Sequence, residues 1–257
     1  MLTSIHDPIV WLDCSGIPKD GRLLACVGLS ASVLASIGNV ELLDAGGVER
    51  FNALKREADR WDFLAARVLV KHVMSRMTGA APSTIVIEQF CADCNRSGHG
   101  KPFSRSHPGL SVSWSHQGGL VMAAVSCFEV GVDVEILGTM PSDADFANNV
   151  LSESELKIFD GLGSVRSDGV SLRQLYTARQ WVRKEAIIKL GALSLERMPA
   201  LSLEYLGCPD FSSHTFQSVN TVGVYGIMDF SIAHWACVGA LAWGKESLKP
   251  LPIISRI

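Results

Sequence analysis

At 257 residues the chain is long enough to bury a substantial core, in one large domain or two small ones. Apolar residues make up 47% and charged residues 19%, which excludes a disordered chain. A net charge of -3 excludes the surplus of Lys and Arg by which nucleic-acid binders hold phosphate backbones.

The amino-terminal segment is interrupted by Asp7 and Asp13 and shows no small-residue cleavage site after a basic start, so no secretory leader is expected. The run Leu23 to Gly38 is uncharged but diluted by Gly28, Ser30, Ser32 and Ser36. It falls short of the ~20 apolar residues of a membrane-spanning helix, and is read as a buried strand followed by a turn. Seven scattered cysteines, an odd number, do not make a disulfide framework, and a reducing cytoplasm is expected.

From Glu41 to Gly79, Phe51, Leu54, Ala58, Trp61, Leu64, Val68 and Met74 recur at spacings of three and four or their sums, which predicts one or two helices ending at Gly79. Ile85, Val86 and Ile87 predict a short strand within Ser83–Phe90. Cys91 to Pro108, rich in Gly, Pro, Ser, Arg and His, reads as a loop. Leu120–Ser126 and Val130–Ile136 read as strands close enough to pair as a hairpin. Ser152 with Glu155 three residues on is a capping box. A polar break at Ser164–Gly169 precedes a long helix from about Leu172 to Leu190, stopped by Gly191. The tail holds further strand-like runs, among them Val222–Ile227 and Phe230–Leu241. In each half an acidic residue, Glu41 or Glu155, opens a helical stretch that a glycine, Gly79 or Gly191, closes. This rough repeat predicts an α+β fold: a pseudo-twofold pair of similar halves, 1–110 and 111–257, with a cleft between them.

Three stretches carry candidate chemistry. On a strand, Asp133 and Glu135 of Gly131-Val132-Asp133-Val134-Glu135 share a face while Val130, Val132 and Val134 point into a core. Two adjacent carboxylates repel unless a cation lies between them, and hard oxygen ligands suit Mg²⁺; a solvated strand face has the same pattern. On a helix, Trp181, Glu185 and Lys189 share a face, where Glu185 and Lys189 also match an ordinary surface ion pair. Ser113-Trp114-Ser115-His116 precedes the expected hairpin and is read as a turn whose Ser and His can hydrogen-bond a phosphate. Upstream, Arg96, His99, Gly100, Lys101 and Pro102 gather cations and glycines in one loop, a candidate phosphate nest.

In this order, Gly100-Lys101-Pro102, Ser115-His116, Val130-Gly131-Val132-Asp133-Val134-Glu135 and Trp181-Val182-Arg183-Lys184-Glu185-Ala186 with Lys189 resemble the phosphopantetheinyl transferase family, in particular its surfactin-synthetase-activating type. The separation of 17 residues from His116 to Asp133 agrees, and the likeness runs from about Arg60 to Leu195. Ser113 stands where the family usually has Asn, and Gly191 comes one residue earlier than in the family's Lys-x-x-Gly. The resemblance implies a magnesium-dependent enzyme that moves the 4'-phosphopantetheine arm of coenzyme A onto a serine of an apo carrier protein, releasing adenosine 3',5'-bisphosphate. It implies Asp133, Glu135 and Glu185 as Mg²⁺ ligands on the pyrophosphate, and His116 and Lys101 on the phosphates. Ser113, Trp114 and Ser115 would line the nucleotide, and Arg60 or Arg67 would hold its 3'-phosphate. Glu185 or Glu135 would take the carrier serine's proton, and Lys189 or Lys184 would assist the departing nucleotide. A chain with its own cleft can work as a monomer.

Three other readings remain. Cys91 and Cys94, with His99 and His107 nearby, supply part of a zinc site, although a single Cys-x-x-Cys gives two of the four ligands needed. A metal-dependent phosphoesterase would also use clustered carboxylates. A catalytically dead relative would bind coenzyme A or a partner without turnover.

Overall fold

The computed structural model describes residues 9–244, apart from 16, 18–21, 39, 92–94, 142, 163–169, 205–215 and 223. Among the described residues two antiparallel sheets and six α-helices make an α+β molecule. The first sheet contains β1 (Ile9–Trp11), β2 (Leu23–Leu29), β3 (Ile87–Cys91), β4 (Arg96–Ser104), β5 (Ser111–Gln117) and β6 (Leu120–Ser126), in the order β1-β2-β6-β5-β4-β3. The second contains β7 (Val130–Ile136), β8 (Phe216–Val222), β9 (Tyr225–Ile232) and β10 (Cys237–Gly244), in the order β7-β10-β9-β8.

The expected hairpin of Leu120–Ser126 with Val130–Ile136 does not form. Both edges of β6 are taken, by β2 and β5, so the chain leaves the first sheet at Cys127 and β7 pairs instead with β10. The first sheet also runs past residue 110, because β4 meets β5 at Phe103 and Ser111. Residues 127–129 carry the chain from one sheet to the other. Two further readings are corrected. The stretch after Leu29 is a helix, α1 (Ser30–Ile37), not a turn. The glycine-rich stretch after Cys91 is largely strand β4, with Gly98 and Gly100 at positive φ and a register shift opposite Gln89 and Phe90. Such irregular strands read as loops because their side chains do not alternate cleanly. The expected break at 164–169 lies outside the described residues.

α2 (Ala45–Ala53) starts on Asp44, whose carboxylate accepts from Gly47 N. α3 (Glu57–Thr78) buries Leu64, Val68, Leu69, Val73 and Met74 at helical spacing, and Gly79 ends it in the left-handed region, its N–H bonded to the Ser75 carbonyl. α4 (Ala144–Val150) leads to α5 (Glu153–Gly161), which opens with the reciprocal Ser152–Glu155 box. α6 (Leu172–Lys189) starts on Ser171 and stops before Gly191, φ 82°.

One core lies between the sheets, where Val27, Leu120, Met122 and Ala124 meet Val130, Val132, Val134, Met228 and Phe230. A second joins α3 to the first sheet through Leu64, Val68, Val121 and Ala123, and a third joins α6 to the second through Ala178, Val182, Ala186, Val238 and Ala240. The sheets differ in strand number, and each carries one long helix. Among the described residues no helix is long and apolar enough to cross a membrane.

Candidate active site

β7 sorts its residues by face as alternation requires: Val132 and Val134 enter the intersheet core, while Gly131, Asp133 and Glu135 face α6. Gly131 permits a close approach: a Cβ there would lie 2.0 Å from the Ala186 carbonyl oxygen and 3.0 Å from Leu190 N. The helix therefore rests on the strand beside the acidic pair and brings Glu185 and Lys189 to it. Lys189 Nζ donates to Asp133 Oδ1 at 2.7 Å, so it reaches across to the strand and is not the surface partner of Glu185 that helical spacing allowed. Trp181, one turn before Glu185 on the same face, donates its indole N–H to Glu135 at 3.1 Å and packs on Phe146.

β5 holds the other side of β7. Ser111 and Ser113 accept from the backbone N–H groups of Val130 and Val132 at 3.2 and 3.0 Å, and Gln117 accepts from Ile136 N at 3.3 Å. Ser115 donates to Asp133 Oδ1 at 2.7 Å. Every second β5 residue thus stitches the first sheet to the free edge of the second. Ser115-His116 is strand, not turn; the turn is Gly118-Gly119, both at positive φ, the pattern of a two-residue hairpin loop. The Ser113 and Ser115 hydroxyls are bonded to β7, and Ser113 also lines the hollow beside the acidic cluster. His116 points away from them and keeps an open edge although protein surrounds it. That enclosure, then Arg67 and Lys189, holds its pKa below the usual histidine value.

Glu135 and Glu185 are partly buried beside Asp133. Burial first, and then the Asp133 charge, raises both; Glu135 reaches about 7. Asp133 is 4% exposed, and its Oδ2 has no hydrogen-bond partner. Among the described residues no three His, Cys, Asp or Glu side chains close around a metal-sized centre; the Lys189 ammonium lies against Asp133. The donor set nonetheless fits a hard divalent ion: an orphaned buried carboxylate oxygen with two more carboxyls held uncomfortably close in charge.

The raised Glu135 has a consequence for stability. The folded protein binds its proton more tightly than the unfolded chain, so stability falls as pH rises from about 4.5 through about 7. In buffer with a chelator, Glu135→Gln is expected to lose less melting temperature than the parent between pH 5 and pH 8; equal losses would contradict this.

Beside this cluster lies a hollow of about 280 Å³ lined by Gln89, Gly100, Lys101, Pro102, Trp114 and Lys189, among others. Gln89 and Trp114 also line a larger cavity of about 560 Å³ between α2, α3 and β3–β4, with Arg50, Arg67, Lys71 and Arg105 as its cations. Arg67 lies 3.3 Å above the centre of the Phe63 ring and 5.2 Å from that of Trp114, and donates to Gln89 at 3.0 Å. Burial, aided by Arg50, pushes its pKa down to about 9. Arg50, Lys71, Gln89 and Arg105 escaped the sequence reading because nothing local marks polar side chains that converge from separate elements.

Other expectations fare differently. Arg60 sits on α3 with its Nε buried and unpartnered, outside the residues that line the two cavities. Lys184 is fully buried, donating to Glu155 at 2.6 Å and to the Val150 carbonyl at 2.7 Å, so it ties α5 to α6 and cannot reach a nucleotide. One residue before Glu185, it is turned about 100° round the helix from that side chain. Lys101 donates to the Glu129 carboxylate and to the Leu190 carbonyl. Arg96 and His99 fall on β4 with side chains outside the described residues, as do the Cys91 side chain and residue 94.

Two comparisons with known proteins point to one family. Residues 129–221, from the start of β7 through α6 to β8, match the 4'-phosphopantetheinyl transferase superfamily. The chain is also 30% identical over 142 residues to the 4'-phosphopantetheinyl transferase psf-1 of Bacillus pumilus, an alignment covering 55% of this chain and 53% of that protein. The chain thus spans about half the length of that curated relative. The acidic strand, the Trp181–Lys189 helix and the matched residues all fall in one segment, and over that segment the chain is similar to the 4'-phosphopantetheinyl transferase superfamily.

Proposed function

We propose that the protein transfers the 4'-phosphopantetheine arm of coenzyme A to a serine of an apo acyl or peptidyl carrier protein, releasing adenosine 3',5'-bisphosphate. The observation that carries this reading is the Asp133–Glu135–Glu185 cluster, whose neighbour Lys189 borders a hollow that shares Gln89 and Trp114 with a cavity lined by arginines and aromatic rings. Its volume of about 560 Å³ falls within the ~300–1,000 Å³ range of small-molecule sites. Aromatic faces with flanking guanidinium groups suit an adenine and its phosphate.

Asp133, Glu135 and Glu185 would hold Mg²⁺, which when bound supplies charge neutralisation at the pyrophosphate. Arg67 and Arg50 bind the nucleotide end, and Lys189 faces the pyrophosphate from the helix. The carrier serine Oγ attacks the phosphorus bearing the pantetheine arm as its proton passes to Glu135 or Glu185. The bond from that phosphorus to the bridging oxygen breaks, and the nucleotide leaves with the electron pair. In this reading the enzyme is cytoplasmic and works as a monomer.

Incubation with coenzyme A, Mg²⁺ and an apo carrier protein is the test. A transferase adds one phosphopantetheine to the carrier by mass; a phosphoesterase consumes coenzyme A and leaves the carrier unmodified; a non-catalytic binder does neither. Arg67→Ala is expected to raise the KM for coenzyme A by roughly tenfold or more with a smaller change in kcat, since hydrogen bonds to charged groups contribute about 1.5–3 kcal/mol. An unchanged KM would remove Arg67 from the site.

A further inference from the structure

β4 and β5 pair at Phe103 and Ser111, and beyond that point Gly100, Lys101 and Pro102 border the hollow that Ser113 and Trp114 line from the other strand. Ile188, Lys189 and Gly191 of the α6 end close its far side. The Lys101 ammonium spans this gap. It donates to the Leu190 carbonyl at 3.2 Å and forms an ion pair with Glu129, the residue just before β7. Glu129 Oε2 also takes the Ser111 hydroxyl at 3.4 Å.

The two cations on the rim of the hollow are therefore each held by a carboxylate, Lys189 by Asp133 and Lys101 by Glu129. The two pairs differ in depth. Asp133 is buried, whereas the Lys101 and Glu129 side chains remain 40% and 35% exposed. An ion pair that open to water is weak and exchanges readily for a better acceptor. A phosphate, doubly charged and rich in acceptor oxygens, is such an acceptor. Until it is displaced, the Glu129 charge also repels an anion entering the hollow.

We infer that Glu129 is an internal counter-anion that competes with a phosphate of coenzyme A for the Lys101 ammonium and thereby sets the affinity for the coenzyme. This rests on the coenzyme A reading above. Glu129 is a positioning residue: it acts through Lys101 and touches no reacting atom.

Calorimetric titration of the full chain with coenzyme A, without carrier protein, tests it. Glu129→Gln keeps the side-chain volume and is expected to bind about two- to fivefold tighter, the range an exposed ion pair allows. Lys101→Met is expected to bind more weakly, and the double variant to match Lys101→Met, because the carboxylate has no effect without its ammonium. A Glu129→Gln protein that binds no tighter overturns the inference, as does a gain that persists in the Lys101→Met background. A merely structural strut would give weaker binding in Glu129→Gln, and a lower melting temperature with it. If the parent protein itself does not bind coenzyme A, the functional reading fails and this inference with it; binding by the parent with no gain in Glu129→Gln sinks the inference alone.

Discussion

Asp133→Asn is expected to lower transfer to the carrier protein by at least about a hundredfold while the protein stays folded. Losing even an outer partner of a metal ligand costs about 10–100-fold, and loss of a ligand's charge should exceed that. The amide keeps the volume of a side chain that is 4% exposed, and its oxygen can still accept from Ser115. Lys189 loses its ion pair but retains 30% exposure and so finds water. The chemical loss should thus be separable from any loss of stability. Glu185→Gln should behave alike if Glu185 holds the same ion, as proposed: burial and then the Asp133 charge raise its carboxyl, so the two charges feel one another. The measurement is the mass of the carrier after incubation with coenzyme A and Mg²⁺, alongside the melting temperature of each variant. Ordinary turnover in either would remove the site assignment.

What the sequence made legible was local. The Ser152–Glu155 capping box lies within one turn, and Gly79 and Gly191 stop helices by their own backbone freedom, so each could be placed without knowing the rest of the fold. Alternation along Val130–Glu135 likewise gave the faces of Asp133 and Glu135. Partners distant in sequence were out of reach. That β7 pairs with β10 more than a hundred residues later, and not with adjacent β6, depends on which edges other strands have already occupied. The serines of β5 show the same limit: Ser111, Ser113 and Ser115 alternate in plain view, but their role as a ladder to another sheet needs β7 in place. Lys184 shows the limit again, because its partners, the Glu155 carboxylate and the Val150 carbonyl, lie 29 and 34 residues away in the chain.

Gly131→Ala is expected to damage the protein in two ways at once, and the reason lies in the helix, not the strand. Alanine suits the backbone of β7, so propensity predicts no penalty. The added Cβ, however, would sit 2.0 Å from the Ala186 carbonyl oxygen, a backbone atom that cannot rotate away. Either α6 lifts from β7 or the strand bends, and overpacking of this kind costs about 1–3 kcal/mol, occasionally more. Because α6 carries Glu185 and Lys189 while β7 carries Asp133 and Glu135, the same displacement separates the groups proposed to share one ion. Transfer should therefore fall steeply even at temperatures where the variant remains folded. A separate control is Gly109→Ala, at a glycine where an added Cβ meets nothing within 4 Å, which should be nearly silent. If Gly131→Ala keeps both parental activity and parental melting temperature, the close seat of α6 on β7 is not what assembles the site.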